Sequence, residues 1–267
     1  MNSIKIALVH PENRNEAAYS VECGAGDNLR HFNHHGQNFP SPCNNDMIAY
    51  VESGLIQISH LDADTLVGIM HMLDVRPGGD LDYSIMEYID NNGSAGIPPC
   101  STLAFMVAIE DWTVTNKFPR CPKAGDPAID VTDLVISLIE TTQTPDLIAA
   151  GYISIGKSEK DYLKALITTQ PMRDPDYTVG LYQVAEGMKF DPSRPYQDGI
   201  DVVVVHEEQY QSVSIYCSPK SDFAFGGEVV GNIQFTGHAK ACGSPRGIPF
   251  TLNAAHQVFE DIRLLAS

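Results

Sequence analysis

His60, Asp62 and Asp64 occupy alternate positions in Ile58-Ser59-His60-Leu61-Asp62-Ala63-Asp64. Imidazole and carboxylate together form a donor set suited to divalent cations. Alternation on an extended chain throws the three side chains to one side. They stand where an expected strand (residues 55–58) turns into an expected apolar helix (residues 65–73), the place where open α/β sheets carry ligands. A competing reading makes Asp64 the cap of that helix, which leaves Asp62 and His60 unexplained. A second group is Arg30-His31-Phe32-Asn33-His34-His35-Gly36, with three imidazoles in five residues. Neutral histidine is a common metal ligand, and an exposed polar loop is the alternative. The third group lies in residues 236–247, where small residues surround His238, Lys240, Ser244 and Arg246. Backbone N–H groups and cations in such a loop can hold a phosphate; a surface loop without a ligand is the alternative.

The elements around these residues read as an α/β protein of two domains. Residues 4–9, 19–23 and 55–58 read as strands. Residues 24–45 form a loop, 47–53 a short helix closed by Gly54, and 81–90 a helix running into a strand. Helices follow at 101–112, 131–141 and 145–169, the last broken near Gly156. Residues 170–176 read as a linker. Strands at 178–184, 201–205, 212–217 and 229–234 and a helix at 252–265 complete the chain. We therefore expect an N-terminal domain over residues 1–170, with a mostly parallel sheet flanked by helices. A smaller mixed-sheet α/β domain follows over residues 177–267.

Composition narrows the chemistry. The 267 residues include 17 Lys and Arg against 34 Asp and Glu, a formal net charge of −17. That balance opposes long duplex nucleic acid, whose binding depends on cations at the phosphates, but not a small phosphorylated ligand in a local basic pocket. The six cysteines are scattered without a CxxC pair, so neither a disulfide framework nor a zinc framework is expected. No run approaches the roughly 18 apolar residues of a membrane span, and the first ten residues read as a strand, not a signal peptide. A cytoplasmic protein with no membrane partner is expected, with a homodimer left open.

His60-Leu61-Asp62-Ala63-Asp64 resembles the first metal motif of the DHH phosphoesterase superfamily, His-x-Asp-x-Asp-Gly. Asn33-His34-His35 resembles the Asp-His-His signature that names it. Gly237-His238-Ala239-Lys240-Ala241-Cys242-Gly243 is similar to the Gly-Gly-His-x-x-Ala-Ala-Gly signature of the C-terminal DHHA1 domain. Asn33, Thr65 and Thr236 depart from the pattern, and the middle third of the chain is unmatched. The His-His motif also precedes the His-Asp-Asp motif, which implies either a circularly rearranged N-terminal domain or a chance match at one of the two motifs.

The resemblance implies a divalent ion, Mn²⁺ first and Mg²⁺ as the alternative, held by His34, His60, Asp62, Asp64 and one further acid. Asp90 is the first choice for that acid and Asp111 the second, with turn capping as the competing role. It implies water activated by metal for attack on phosphorus, with His34, His35 and Asp62 catalytic. His238, Lys240, Ser244 and Arg246 would bind the substrate, a small nucleotide or short oligonucleotide phosphoester. Two other readings stand beside it: a non-catalytic nucleotide-binding or regulatory protein on the same fold, and a metal-dependent hydrolase of another bond.

Overall fold

The computed structural model describes residues 4–34, 39–48, 50–94, 96–174, 176–245 and 248–265. The chain divides into two compact units, residues 1–91 with 99–154, and residues 92–98 with 155–267.

The first unit is built on a five-stranded sheet. Its strands are β1 (Ile4–Leu8), β2 (Tyr19–Val21), β3 (His31–Phe32), β4 (Gly54–Ile58) and β5 (Ile129–Asp130), in the spatial order β3-β2-β4-β1-β5. The pairs β1–β4, β4–β2 and β2–β3 are parallel, and only β5 runs antiparallel. Ile6, Leu8, Ile56 and Ile58 are fully buried, as expected for parallel strands covered on both faces. Helices α1 (Ala63–Met72), α2 (Tyr83–Asn92), α3 (Ser101–Thr115), α4 (Thr132–Thr142) and α5 (Pro145–Ala165) belong to this part of the chain, with α5 running on into the second unit. Helix α1 is apolar on nearly every side and buried on nearly every side, which is the pattern of a central helix rather than a surface one.

Two glycines set the packing. A Cβ on Gly68 of α1 would come within 2.7 Å of Pro42 Cβ and 2.9 Å of Val21 Cγ1. Its absence lets the 3-10 turn Pro42–Asn44 lie against α1 and β2. A Cβ on Gly151 of α5 would overlap the carbonyl oxygen of Ala104 and lie 2.9 Å from its Cα, so α3 and α5 cross backbone to backbone. Gly151→Ala would gain about 1 kcal/mol of helix propensity, but the overlap with backbone cannot be relieved by a rotamer change. The net expectation is a loss of about 2–3 kcal/mol, measurable by urea unfolding.

The second unit holds a six-stranded mixed sheet. Its strands are β6 (Leu166–Pro171), β7 (Thr178–Val184), β8 (Val202–Glu207), β9 (Ser212–Cys217), β12 (Thr236–His238) and β13 (Ala241–Gly243), in the order β12-β13-β9-β8-β7-β6. Only β7–β8 is parallel. A separate hairpin pairs β10 (Val229–Val230) with β11 (Ile233–Gln234). Val202 and Val204 face α6 (Leu252–Arg263) through Val258, Phe259 and Ile262, while Val203 and Val205 pack with Tyr162 and Tyr182. This period of two explains the unbroken Val-Val-Val-Val run: both faces of β8 are covered.

The architecture is thus α/β, with a mostly parallel sheet in one unit and a mixed sheet in the other. Three local expectations are corrected. The described residues of 47–53 form turns, bends and irregular chain, not a helix. Residues 83–92 are helical throughout, with no strand at Asp90. Helix α5 passes Gly156 unbroken and gives way at Leu166 to strand β6, so the expected linker begins inside a strand. The division between units falls within α5, after Ser154. Among the described residues no helix is long and apolar enough to cross a membrane, and all six cysteines are free thiols.

Candidate metal centre

The carboxyl ends of β2, β3 and β4 lie side by side, because Val21 pairs with both Phe32 and Ile58. Residues that follow these strands meet at one edge of the sheet: Glu22 directly after β2, His34 shortly after β3, and Asp64 in the first turn of the helix that follows β4. Insertion of β4 between β2 and β1 brings His34 beside Asp64, although the histidine comes first in the chain. Asn33, at the position of the signature's Asp, donates its amide to Gly24 O at 2.6 Å and ties the β3 exit to the β2 exit.

His34 is the hub. Its Nε2 lies 3.1 Å from Asp90 Oδ2, 3.8 Å from Glu22 Oε1 and 3.8 Å from Asp64 Oδ2. One ligand atom from each of Glu22, His34 and Asp64 falls within 4.8 Å of the others. Two oxygen or nitrogen ligands about 2.1 Å from one ion stand about 3 Å apart when adjacent and about 4.2 Å apart when opposite. The observed spacings are close to that range. Glu22, His34 and Asp64 are buried, and the Asp90 side chain is 16% exposed. Three carboxylates around one imidazole in a low-dielectric site form a donor set that calls for a cation.

The surroundings fix each group. Asp64 sits in the first turn of α1, where its Oδ1 accepts from Ser41 Oγ at 2.6 Å and Cys43 N at 2.7 Å. Its Oδ2 is buried and accepts no hydrogen bond from the described residues. Burial and the nearby Asp62 charge push the Asp64 carboxyl up to about 7, against the pull of Ser41 and Cys43. The contact with Asp90 holds His34 above the usual histidine range; desolvation opposes it and the Glu22 and Asp64 charges add to it. Glu22 adopts φ 52°, a left-handed conformation costing a bulky L-residue about 1 kcal/mol. Its amide donates to Phe32 O at 2.9 Å and its carbonyl accepts from Ser59 Oγ, which locks that conformation.

His60 and Asp62 form a second, more open pair, with His60 Nε2 3.1 Å from Asp62 Oδ2 and side chains 44% and 42% exposed. Desolvation raises the Asp62 carboxyl, but the His60 contact and the Thr65 amide outweigh it and hold the group at about 2. The expectation that His60, Asp62 and Asp64 share a side by strand alternation is corrected here. Asp62 is the N-cap of α1, with Oδ1 accepting from Thr65 N at 2.8 Å. Asp64 is therefore helical and turns inward, away from the alternating pattern. The capping acid is Asp62, not Asp64. Asp111 accepts from Ser154 Oγ at 2.5 Å and so joins α3 to α5, leaving Asp90 as the acid that reaches His34. His35 lies outside the described residues.

Glu22 was missed in the sequence. Its signal is an acid directly after an expected strand, entering a turn with glycine, Val21-Glu22-Cys23-Gly24.

No known protein family matches the sequence, and no curated protein matches it. Among solved structures the chain is similar to a pGpG-specific phosphodiesterase, PggH from Vibrio cholerae, at 12% identity and TM-score 0.42 over 80% of each chain. It is also similar to an exopolyphosphatase-related protein from Bacteroides fragilis, at 13% identity and TM-score 0.32 over 78% of this chain and 58% of that one. An uncharacterized protein from Helicobacter pylori G27 matches at 14% identity and TM-score 0.27, over 67% and 52%. Likeness of this order identifies no family, and the chemistry of the site rests on its own residues.

Two of the four expected substrate residues of the second unit are held by hydrogen bonds within it. Lys240 Nζ donates to Ser218 O at 3.1 Å, Pro219 O at 3.2 Å and also to Ser221 O. An ammonium has three donors, and the carbonyls of residues 218–221 take all three. Ser244 is buried, with Oγ accepting from Val213 N at 3.1 Å and its amide donating to Val213 O. Both residues secure their own unit instead of offering polar atoms to a ligand. His238 is exposed at the end of β12. Arg246 lies outside the described residues.

Proposed function

We propose that the chain is a metal-dependent phosphoesterase of the DHH/DHHA1 kind, with a circularly rearranged N-terminal unit. The observation that carries this reading is the convergence of Glu22, His34 and Asp64 at the carboxyl edge of a parallel sheet, with Asp90 against the same histidine nitrogen. Glu22, His34, Asp64 and Asp90 would hold one divalent ion, and His60 with Asp62 would complete the centre on its open side. Mixed carboxylate and imidazole donors suit Mn²⁺ first and Mg²⁺ second. When bound, such an ion acidifies water and offsets charge on phosphoryl oxygens. The chain's own part is to orient and to hold protons. Asp62, ionised throughout the physiological range, accepts from His60 and fixes the ring beside the substrate. The buried residues exclude bulk water from the inner ligands. The substrate class is a small nucleotide or short oligonucleotide phosphoester.

Calorimetric titration with Mn²⁺, followed by a screen of aryl phosphoesters and short oligonucleotides with and without the ion, tests the reading. Stoichiometric Mn²⁺ uptake and metal-dependent phosphate release are expected. A chain that takes up no Mn²⁺, Mg²⁺ or Zn²⁺ at millimolar concentration would end it.

A further inference from the structure

The two oxygens of Asp64 are treated differently. Oδ1 receives two hydrogen bonds, from Ser41 Oγ and Cys43 N. Oδ2, equally buried, receives none from the described residues and lies 3.8 Å from His34 Nε2. A buried carboxylate serving only the fold is satisfied at both oxygens, because each unsatisfied oxygen costs stability. The asymmetry here is built by a specific strap. Ser41 is fully buried, and the turn that follows it packs against α1 where Gly68 has no side chain. The strap is gripped from the other side by Glu87 of α2, which accepts from Ser41 N at 3.2 Å and from Asn44 Nδ2 at 2.9 Å. Glu87 lies one turn before Asp90 on the same helix, and residues three apart share a helix face. One helix therefore supplies both the acid that contacts His34 and the acid that anchors the strap.

We propose that Ser41 and Glu87 are positioning residues of the metal centre, which fix the Asp64 carboxylate so that Oδ2 alone faces the cation. The inference rests on the metal reading above and adds how that centre is pre-set. Ser41 restrains the rotation of the carboxylate directly. Glu87 acts one step further out, holding the strap at the height from which Ser41 reaches Oδ1. Hydrogen-bond partners of metal ligands commonly carry a 10–100-fold share of metal affinity.

The test is the Mn²⁺ affinity of the native chain, Ser41→Ala and Glu87→Gln, measured by calorimetry where circular dichroism shows each metal-free variant folded. Ser41→Ala should weaken Mn²⁺ binding roughly 10–100-fold, and Glu87→Gln, which keeps shape and one acceptor oxygen, a few-fold to about tenfold. Mg²⁺ titration of the same proteins should show the same order. If Ser41→Ala does not fold, Glu87→Gln decides, and native affinity in that variant overturns the proposal. Native affinity in a folded Ser41→Ala overturns it while leaving the metal reading intact. A native chain that binds no Mn²⁺ overturns both.

Discussion

Asp64→Asn should lose Mn²⁺ binding at the inner centre by more than the roughly 10–100-fold that a ligand's own supporting partners carry. Metal-dependent phosphoester turnover should fall with it. The substitution nearly preserves shape. The amide oxygen can still accept from Ser41 Oγ and Cys43 N, so the strap across α1 stays in place. What changes is the second atom of the head group. A neutral NH₂ replaces the Oδ2 that lies 3.8 Å from His34 Nε2, and a cation gains nothing from it. The metal-free variant should be at least as stable as the native chain, because it no longer buries a carboxylate near Glu22 and Asp62. The combination is diagnostic: a raised or unchanged melting temperature without metal, and lost stabilisation by Mn²⁺. Asp64→Asn that bound Mn²⁺ with native affinity would remove Asp64 from the centre.

The metal-free chain should become less stable as pH rises from 5 to 8, and Mn²⁺ should reverse the trend. Asp64 in the folded chain is pushed up to about 7 from an ordinary value of 3.8. The folded state therefore holds a proton that the unfolded state has released, and stability falls as pH rises between those values. Over two pH units inside that window the loss is on the order of 3 kcal/mol. His34 is raised as well. Its contribution is complete below the ordinary histidine value and disappears as pH passes the raised one, so both groups act in the same sense. Asp62, held at about 2, acts oppositely, with its stabilisation lost only below about pH 4, outside this window. A cation replaces those protons, so Mn²⁺ should bind more tightly at pH 8 than at pH 5.5 and give its largest melting-temperature gain at the higher pH. Melting curves across pH with and without Mn²⁺ measure both. A metal-free melting temperature rising steadily from pH 5 to 8 would contradict the charge distribution of the cluster.

Much of the framework was legible in the chain itself. The strands at 4–8, 54–58 and 202–207 are dominated by apolar residues, with residues 202–205 an unbroken run, and helix α1 is apolar on nearly every side. The types of residue were legible too: His34 stands out in a cluster of three imidazoles, Asp64 in a group of one imidazole and two acids, and Asp90 as an acid ending an apolar run. Orientation was not. The period-two argument failed at Asp62, because that side chain caps α1 and changes the period from 2 to 3.6 between Asp62 and Asp64. Asp90 emerged from a helix, not a strand end. Lys240 and Ser244 looked like ligand groups because sequence reports a cation or a hydroxyl without reporting which carbonyl or amide already occupies it.

The sequence by itself determined the class of fold and the kinds of donor atom available, since periodicity and side-chain chemistry are local properties. Only the tertiary structure decided which donors share a space. The placing of β4 between β2 and β1 brings Glu22 and His34 to Asp64 across 42 and 30 residues of chain. The Ser41 strap decides which oxygen of Asp64 is hydrogen-bonded and which meets no donor among the described residues. Both depend on strand pairing and on close packing at Gly68, and contacts between distant segments leave no periodic trace in the segments that make them.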